Sequence, residues 1–209
     1  MILTENGSDI SESLPLARQA VARIPTRYGM FQMYAYASAA HDLMPHLALA
    51  ADGFDPQKEV PVRIHSECMT GDVFGSRRCD CGEQLDAALR IAAGQGGVVV
   101  YLRQEGRGIG LINKLKAYNL QDTGLNTIDA NTHLGFDADA RQYEAAIFIL
   151  NDLGIRRVQL MTNNPAKVEA LRQSGIEVTR RVPVVIEPHA DNADYLRTKQ
   201  ELMGHILGL

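Results

Sequence analysis

Tryptophan is absent from this 209-residue chain, and Phe and Tyr together make up only 6% of it. So sparse an aromatic set leaves no stacking platform of the kind that binds single strands of nucleic acid. A basic excess is also missing. Twenty-one Lys and Arg stand against 25 Asp and Glu, a net charge of −4, which argues against a general nucleic-acid partner. It does not exclude a small anionic ligand, because local arginine clusters can oppose the global sign. No apolar run approaches the length of a membrane span. The first residues, MILTENGSDISESLPLARQ, lack both the basic and the apolar region of a secretory signal. There is no even framework of cysteines, only three, which fits a reducing compartment and places the expected location in the cytoplasm. What remains is ordinary in hydrophobic and charged content, and long enough for one full core.

The three cysteines, Cys68, Cys79 and Cys81, are gathered within a short polar stretch, His65-Ser-Glu-Cys-Met-Thr-Gly-Asp-Val-Phe-Gly-Ser-Arg-Arg-Cys-Asp-Cys81. Clustering of this kind points to a metal. Structural zinc usually has four protein ligands, whereas catalytic zinc keeps one position open. Three thiolates therefore favour chemistry over architecture. A closed site with His65 or another histidine as fourth ligand, and three buried free thiols packing as small hydrophobes, are the alternatives. Arg77 and Arg78 are placed to offset thiolate charge. His65-Ser66-Glu67 matches half of the zinc deaminase signature, but the chain has Arg-Cys-x-Cys where that signature requires Pro-Cys-x-x-Cys. A deaminase fold is excluded, and Glu67 stays a candidate acid–base or substrate-contact group.

Around this cluster the pattern predicts an α/β (α+β) fold, a mixed sheet core with flanking helices and a small antiparallel N-terminal section. Residues 1–23 are polar and read as an arm or a short helix, leaving 24–209 as a single domain. Apolar runs at Met30–Ala37, Leu47–Ala51 and Val60–Ile64 form the antiparallel section. Leu85, Ala88, Leu89 and Ala92 lie at helical spacing. Val98–Leu102 is a buried strand, followed by a helix from about Leu111 to Gln121. A later helix carries Ala146, Ile147, Leu150 and Leu153. Val158–Met161 is a strand, Asn164 caps a helix with Pro165 in its first turn, Ile176–Ile186 returns to strand, and Tyr195–Leu207 is helical.

Two strand-to-helix junctions suit phosphate. Tyr101-Leu-Arg-Gln-Glu-Gly-Arg-Gly-Ile-Gly-Leu111 has glycines that let backbone N–H groups approach an anion at a helix start, with Arg103 and Arg107 nearby. It is neither the dinucleotide fingerprint nor the Walker loop. Thr162-Asn-Asn-Pro-Ala-Lys167 offers a hydroxyl, amides and a lysine to the same kind of group. Asp137, Asp139 and Arg141 lie close together ahead of a helix, and Tyr118 sits on the helix after the glycine loop.

Taken in order, His65-Ser-Glu-Cys-Met-Thr-Gly-Asp, Arg78-Cys-Asp-Cys-Gly, Arg103-Gln-Glu-Gly-Arg-Gly-Ile-Gly, Leu134-Gly-Phe and Thr162-Asn-Asn-Pro-x-Lys resemble GTP cyclohydrolase II, from about Ile24 to Leu207. The resemblance implies hydrolysis of GTP to a diaminopyrimidinone ribosyl phosphate, formate and pyrophosphate at the start of riboflavin biosynthesis. It implies zinc on Cys68, Cys79 and Cys81, magnesium with the pyrophosphate, and a homodimer. GTP contacts carry over to Arg63, Ile64, His65, Ser66, Glu67, Gln84, Glu105, Gly106, Arg107, Thr127, Thr162 and Lys167. Asp139 becomes the proton acceptor, Tyr118 completes the ring chemistry, and Arg141 acts as nucleophile toward the α-phosphate. Because a guanidinium stays protonated, a phosphate clamp is an equally good role for Arg141. Asp129 stands where the family pattern has Glu, and residues 1–23 match none of it. The filled Tyr118 position argues against a reaction arrested at the formamide. The open metal site beside two phosphate junctions argues against a zinc-stabilised binding module. The chain is too short for the dihydroxybutanone phosphate synthase domain of bifunctional relatives.

Overall fold

The computed structural model describes residues 15–137 and 141–208. The strands are β1 (Ala17–Thr26), β2 (Gly29–Ala37), β3 (His46–Ala51), β4 (Val60–Ser66), β5 (Val98–Leu102), β6 (Arg157–Met161) and β7 (Glu177–Val182). The helices are α1 (Met69–Asp72), α2 (Cys81–Gln95), α3 (Gly110–Asp122), α4 (Thr127–His133), α5 (Glu144–Asp152), α6 (Pro165–Gln173) and α7 (Ala193–Glu201). The strands form one seven-stranded sheet in the order β1-β2-β3-β5-β4-β6-β7. β1, β2, β3 and β5 pair antiparallel, while β5, β4, β6 and β7 pair parallel. The mixed α/β architecture agrees with the sequence pattern.

Four expectations need correction. Residues 17–23 are strand rather than arm or helix. Almost all of β1 is exposed, so it lacks the alternating apolar signal. It is held by its ladder to β2 and by Arg18, which bonds Asp152 of α5 at 2.6 Å. Residues 1–14 lie outside the described residues. β4 belongs to the parallel half, because α1 and α2 carry the chain across the sheet before β5. The third correction is that the strand expected to reach Ile186 ends at Val182, before Pro183, which has no N–H for the ladder. Finally, helix α7 stops at Glu201 rather than Leu207, and Gly204 turns the chain with a left-handed φ of 65°.

The sheet is covered on both faces, as parallel strands require. Val62, Ile64, Val98, Val100, Leu102 and Leu160 point to one side and meet Ile149 and Leu150 of α5 and Leu171 of α6. Phe31, Val99 and Met161 point to the other and meet Ala88 and Ala92 of α2. Strand alternation then puts Arg63 and His65 on the α2 side. The connection after β4 leads to β5 on one side of it, and the connection after β6 leads to β7 on the other. The crevice outside the carboxyl ends of β4 and β6 is thus a switch point, the usual ligand position in open α/β sheets.

Candidate active site

That crevice is a cavity of about 990 Å³ including its open mouth, within the range of small-molecule sites. Its floor is the thiol cluster. Sγ atoms of Cys68, Cys79 and Cys81 lie within 4.8 Å of one another, with Cys68 and Cys79 at 3.6 Å. Helix α1 places Gly71 against them. A Cβ there would meet Cys79 Sγ at 3.0 Å and Cys68 Sγ at 3.3 Å, and a Cβ on Gly82 would strike the Gly71 carbonyl at 2.4 Å. Both glycines let α1 and α2 close around the thiols.

The cluster's electrostatics match a cation. Hydrogen bonds from Cys79, then Cys81, hold the Cys68 thiol well below its ordinary range. The same bonds push Cys79 up to about 11 and Cys81 well above its usual value, with burial adding to both. One thiolate is thus stable, and a second or third needs positive charge among them. Lys114 supplies part of it, with Nζ 3.1 Å from Cys68 Sγ and 2.8 Å from Glu105 Oε1. Burial works against the Lys114 charge, but the Cys68 and Glu105 anions outweigh it and raise its pKa. Arg77 and Arg78 do not take this role. Arg77 pairs with Asp191 at 2.9 Å, and Arg78 pairs with Asp122 at 2.6 Å while lying over the Tyr118 ring. The three thiols therefore fit a divalent metal that favours sulfur, zinc foremost.

His65 is not a fourth ligand. Its Nε2 lies 3.0 Å from Asp72, it stacks on Tyr101, and the Tyr101 hydroxyl donates to Asp72 at 2.9 Å. Asp72 also accepts the Cys68 backbone N–H at 2.9 Å, so one carboxylate organises the whole turn. Burial lowers the His65 pKa and keeps the ring neutral at pH 7.

Above the thiols the walls turn cationic. Arg63, Arg107, Lys114, Arg141, Lys167 and Lys199 line the cavity against the carboxylates Glu67 and Glu105, reversing the net sign of the chain. Arg107 is the non-glycine residue with left-handed backbone among the described residues, at φ 64°, a conformation held at some strain. It follows Gly106 in a 3-10 turn over Glu105–Gly108, and its Nη1 is buried without a protein partner. Lys167 at the start of α6 donates to the Ile64 carbonyl at 2.8 Å. Thr162 Oγ1 accepts from the Asn164 N–H at 3.0 Å, fixing the turn before α6. Arg103 is committed elsewhere, to Glu67 at 3.0 Å; burial raises the Glu67 pKa and Arg103 opposes that rise.

Most residues expected from sequence meet here. Arg63, His65, Ser66, Glu67, the three cysteines, Gln84, Glu105, Gly106, Arg107, Tyr118, Thr127, Arg141, Thr162 and Lys167 all line the cavity. Ile64 does not; its side chain lies in the core on the opposite face of β4. Asp139 lies outside the described residues. Burial raises the Tyr118 pKa, so its phenol stays a proton donor at neutral pH. Sequence reasoning missed Lys114, Asp72, Asp80 and the C-terminal wall of Tyr195, Lys199, Met203 and His205. Burial first, and then Lys199 and its cationic neighbours, lower the His205 pKa to about 3, so this imidazole is neutral. The motifs Tyr195-Leu-Arg-Thr-Lys and Met203-Gly-His belong to the same family resemblance, which gives them no site role.

A family model described as GTP cyclohydrolase II matches residues 17–183. The riboflavin biosynthesis protein RibBA of Chlorobium phaeovibrioides is 54% identical over 194 residues, covering 92% of this chain and 47% of that protein. RibBA of Salinispora arenicola is 53% identical over 190 residues, covering 90% of this chain and 45% of that protein. GTP cyclohydrolase-2 of Campylobacter fetus is 48% identical over 194 residues, covering 93% of this chain and 97% of that protein. The chain thus spans about half the length of the RibBA relatives and nearly all of the Campylobacter one.

Proposed function

The chain belongs to the GTP cyclohydrolase II family, and on that premise we propose that it hydrolyses GTP to 2,5-diamino-6-ribosylamino-4(3H)-pyrimidinone 5′-phosphate, formate and pyrophosphate, the first step of riboflavin biosynthesis. The observation that carries this reading is one cavity joining the three-thiol floor to two strand-to-helix junctions and a wall of cations. Zinc held by Cys68, Cys79 and Cys81 would supply Lewis acidity and acidify water for attack at the imidazole carbon.

The chain's own residues do the rest. Arg107, Arg141 and Lys167 hold the triphosphate, with magnesium accompanying the pyrophosphate. Arg107 brings a buried nitrogen that a phosphate oxygen would satisfy. Asp139 is the proposed proton acceptor. Glu67, Glu105, His65, Ser66, Thr127 and Thr162 complete the contacts. Gln84 and Arg63 face the base: Gln84 offers a carbonyl lone pair and Arg63 a buried Nε–H without a protein partner. An acceptor beside a donor matches the N1–H and O6 of guanine and opposes adenine. No described helix is long and apolar enough to cross a membrane. The homodimer and the cytoplasm belong to the same reading.

Incubation with GTP and magnesium, following formate and pyrophosphate separately, tests the reaction. Both products are expected from GTP, and ATP should be turned over at least ~1,000-fold less efficiently, because mismatched buried polar groups discriminate strongly. Absence of formate, or equal turnover of ATP, would overturn the reading. Tyr118→Phe tests the proton donor. Loss of one acid–base group should slow formate release by roughly tenfold or more, with pyrophosphate release and bound metal unchanged; wild-type formate release would remove Tyr118 from the mechanism.

A further inference from the structure

Gln84 has no donor left to give. Its Nε2 donates to Asp80 Oδ2 at 2.6 Å and to the Val184 carbonyl at 3.2 Å, and its Oε1 accepts from Arg63 Nη2 at 2.6 Å. Asp80 and the carbonyl only accept, and Arg63 only donates, so the amide has one possible orientation. Its remaining capacity is a single lone pair on Oε1. Arg63 is 6% exposed, uses Nη1 on the Met161 carbonyl at 3.0 Å, and keeps Nε unpartnered.

Of the three groups that set this orientation, Asp80 makes the shortest bond to Nε2; it sits between Cys79 and Cys81 and is 1% exposed. A buried carboxylate needs a partner. It finds Lys199 of α7, whose Nζ lies 2.6 Å from Oδ1 and over the Tyr195 ring at 4.7 Å. A cation from the far end of the chain thus anchors the carboxylate that orients the amide.

We propose that Asp80 and Lys199 are positioning residues for base selection: their buried ion pair sets the amide of Gln84 with its carbonyl available, so that the Gln84–Arg63 pair accepts a 6-oxopurine and rejects a 6-aminopurine. The proposal rests on the reading of this cavity as a purine nucleotide site. A 6-oxopurine presents N1–H and O6, which match the acceptor on Gln84 and the donor on Arg63. Adenine presents the reverse polarity, N1 as acceptor and the 6-amino group as donor.

Asp80→Asn tests it with little change of shape. The new side-chain amide keeps an oxygen for Lys199 but turns an NH2 toward Gln84. In the native orientation Gln84 Nε2 then faces a donor, and in the flipped one it faces Arg63 and the cavity while Oε1 meets the Val184 carbonyl, so the single orientation of the native amide is lost. Affinities of the metal-loaded protein for α,β-methylene analogues of GTP, ITP and ATP are measured by calorimetry, so no turnover is required. The GTP-to-ATP and ITP-to-ATP affinity ratios should fall together by roughly 10- to 100-fold in Asp80→Asn. Metal content and thermal midpoint should hold. Lys199→Met removes the cation that anchors the buried carboxylate against Gln84 and should lower both ratios, whereas Lys199→Arg should keep them. A folded, metal-loaded Asp80→Asn with wild-type ratios overturns the proposal. So does a wild-type protein without preference for 6-oxopurines, whereas formate release from GTP by the wild type judges the proposed reaction separately.

Discussion

Cys79→Ser is expected to abolish the proposed metal binding and ring opening while leaving the chain folded. The three thiols cannot all ionise in each other's presence, and the Cys79 thiol in particular is pushed up to about 11 by its bond to Cys68. Only a cation bound among them makes three thiolates stable at neutral pH. A serine hydroxyl occupies nearly the same space but neither ionises there nor binds a thiophilic metal well. Metal analysis should move from one zinc per chain to near none. Formate release should drop by roughly a hundredfold or more, since even residues outside the ligand set change metal sites by ~10- to 100-fold. Slow pyrophosphate release should persist, because Arg107, Arg141 and Lys167, proposed to hold the phosphates, are untouched. Full zinc with normal formate release in this variant would end the assignment of the thiol cluster as the metal site.

Arg141→Ala is expected to stop both outputs. Arg141 lines the cavity with Arg107 and Lys167, and its planar fork suits two phosphate oxygens at once. Removing one preorganised donor from charge that develops in a transition state costs ~10²–10³ in rate. If phosphoryl transfer precedes ring opening, formate and pyrophosphate fall together by that factor while metal content is unchanged. Formate made at the wild-type rate would overturn both the order of steps and the role of Arg141.

The elements are legible in the sequence to different degrees, for physical reasons. β2, β3, β5 and β6 show as apolar runs because each has a buried face. β1 does not, because its residues are exposed and its strand character comes from pairing with β2. β4 shows as a strand but with the wrong neighbours, since an apolar run carries no information about strand direction. The pattern overruns the end of α7, although Gly204 marks a turn.

The site divides in the same way. Cys68, Cys79 and Cys81 stand out because a thiol cluster built on one turn and one helix start has short spacings, and the glycine loop and the Asn164–Pro165 start of α6 are local signals too. Lys114 reaches Cys68 across 46 positions, and Lys199 reaches Asp80 across 119. Adjacency in the chain sets Arg78 beside the thiols, yet the fold turns it to Asp122. By itself the sequence determined the thiol donors, the two strand-to-helix junctions and the family pattern, all written in contiguous residues. Only the tertiary structure decided which cation balances the thiols, that Ile64 turns into the core while Arg63 and His65 face the cavity, and that the C-terminal helix closes one wall. Those outcomes depend on strand order and on which face of the sheet each side chain meets, and the long connections that set them leave no periodic trace in the chain.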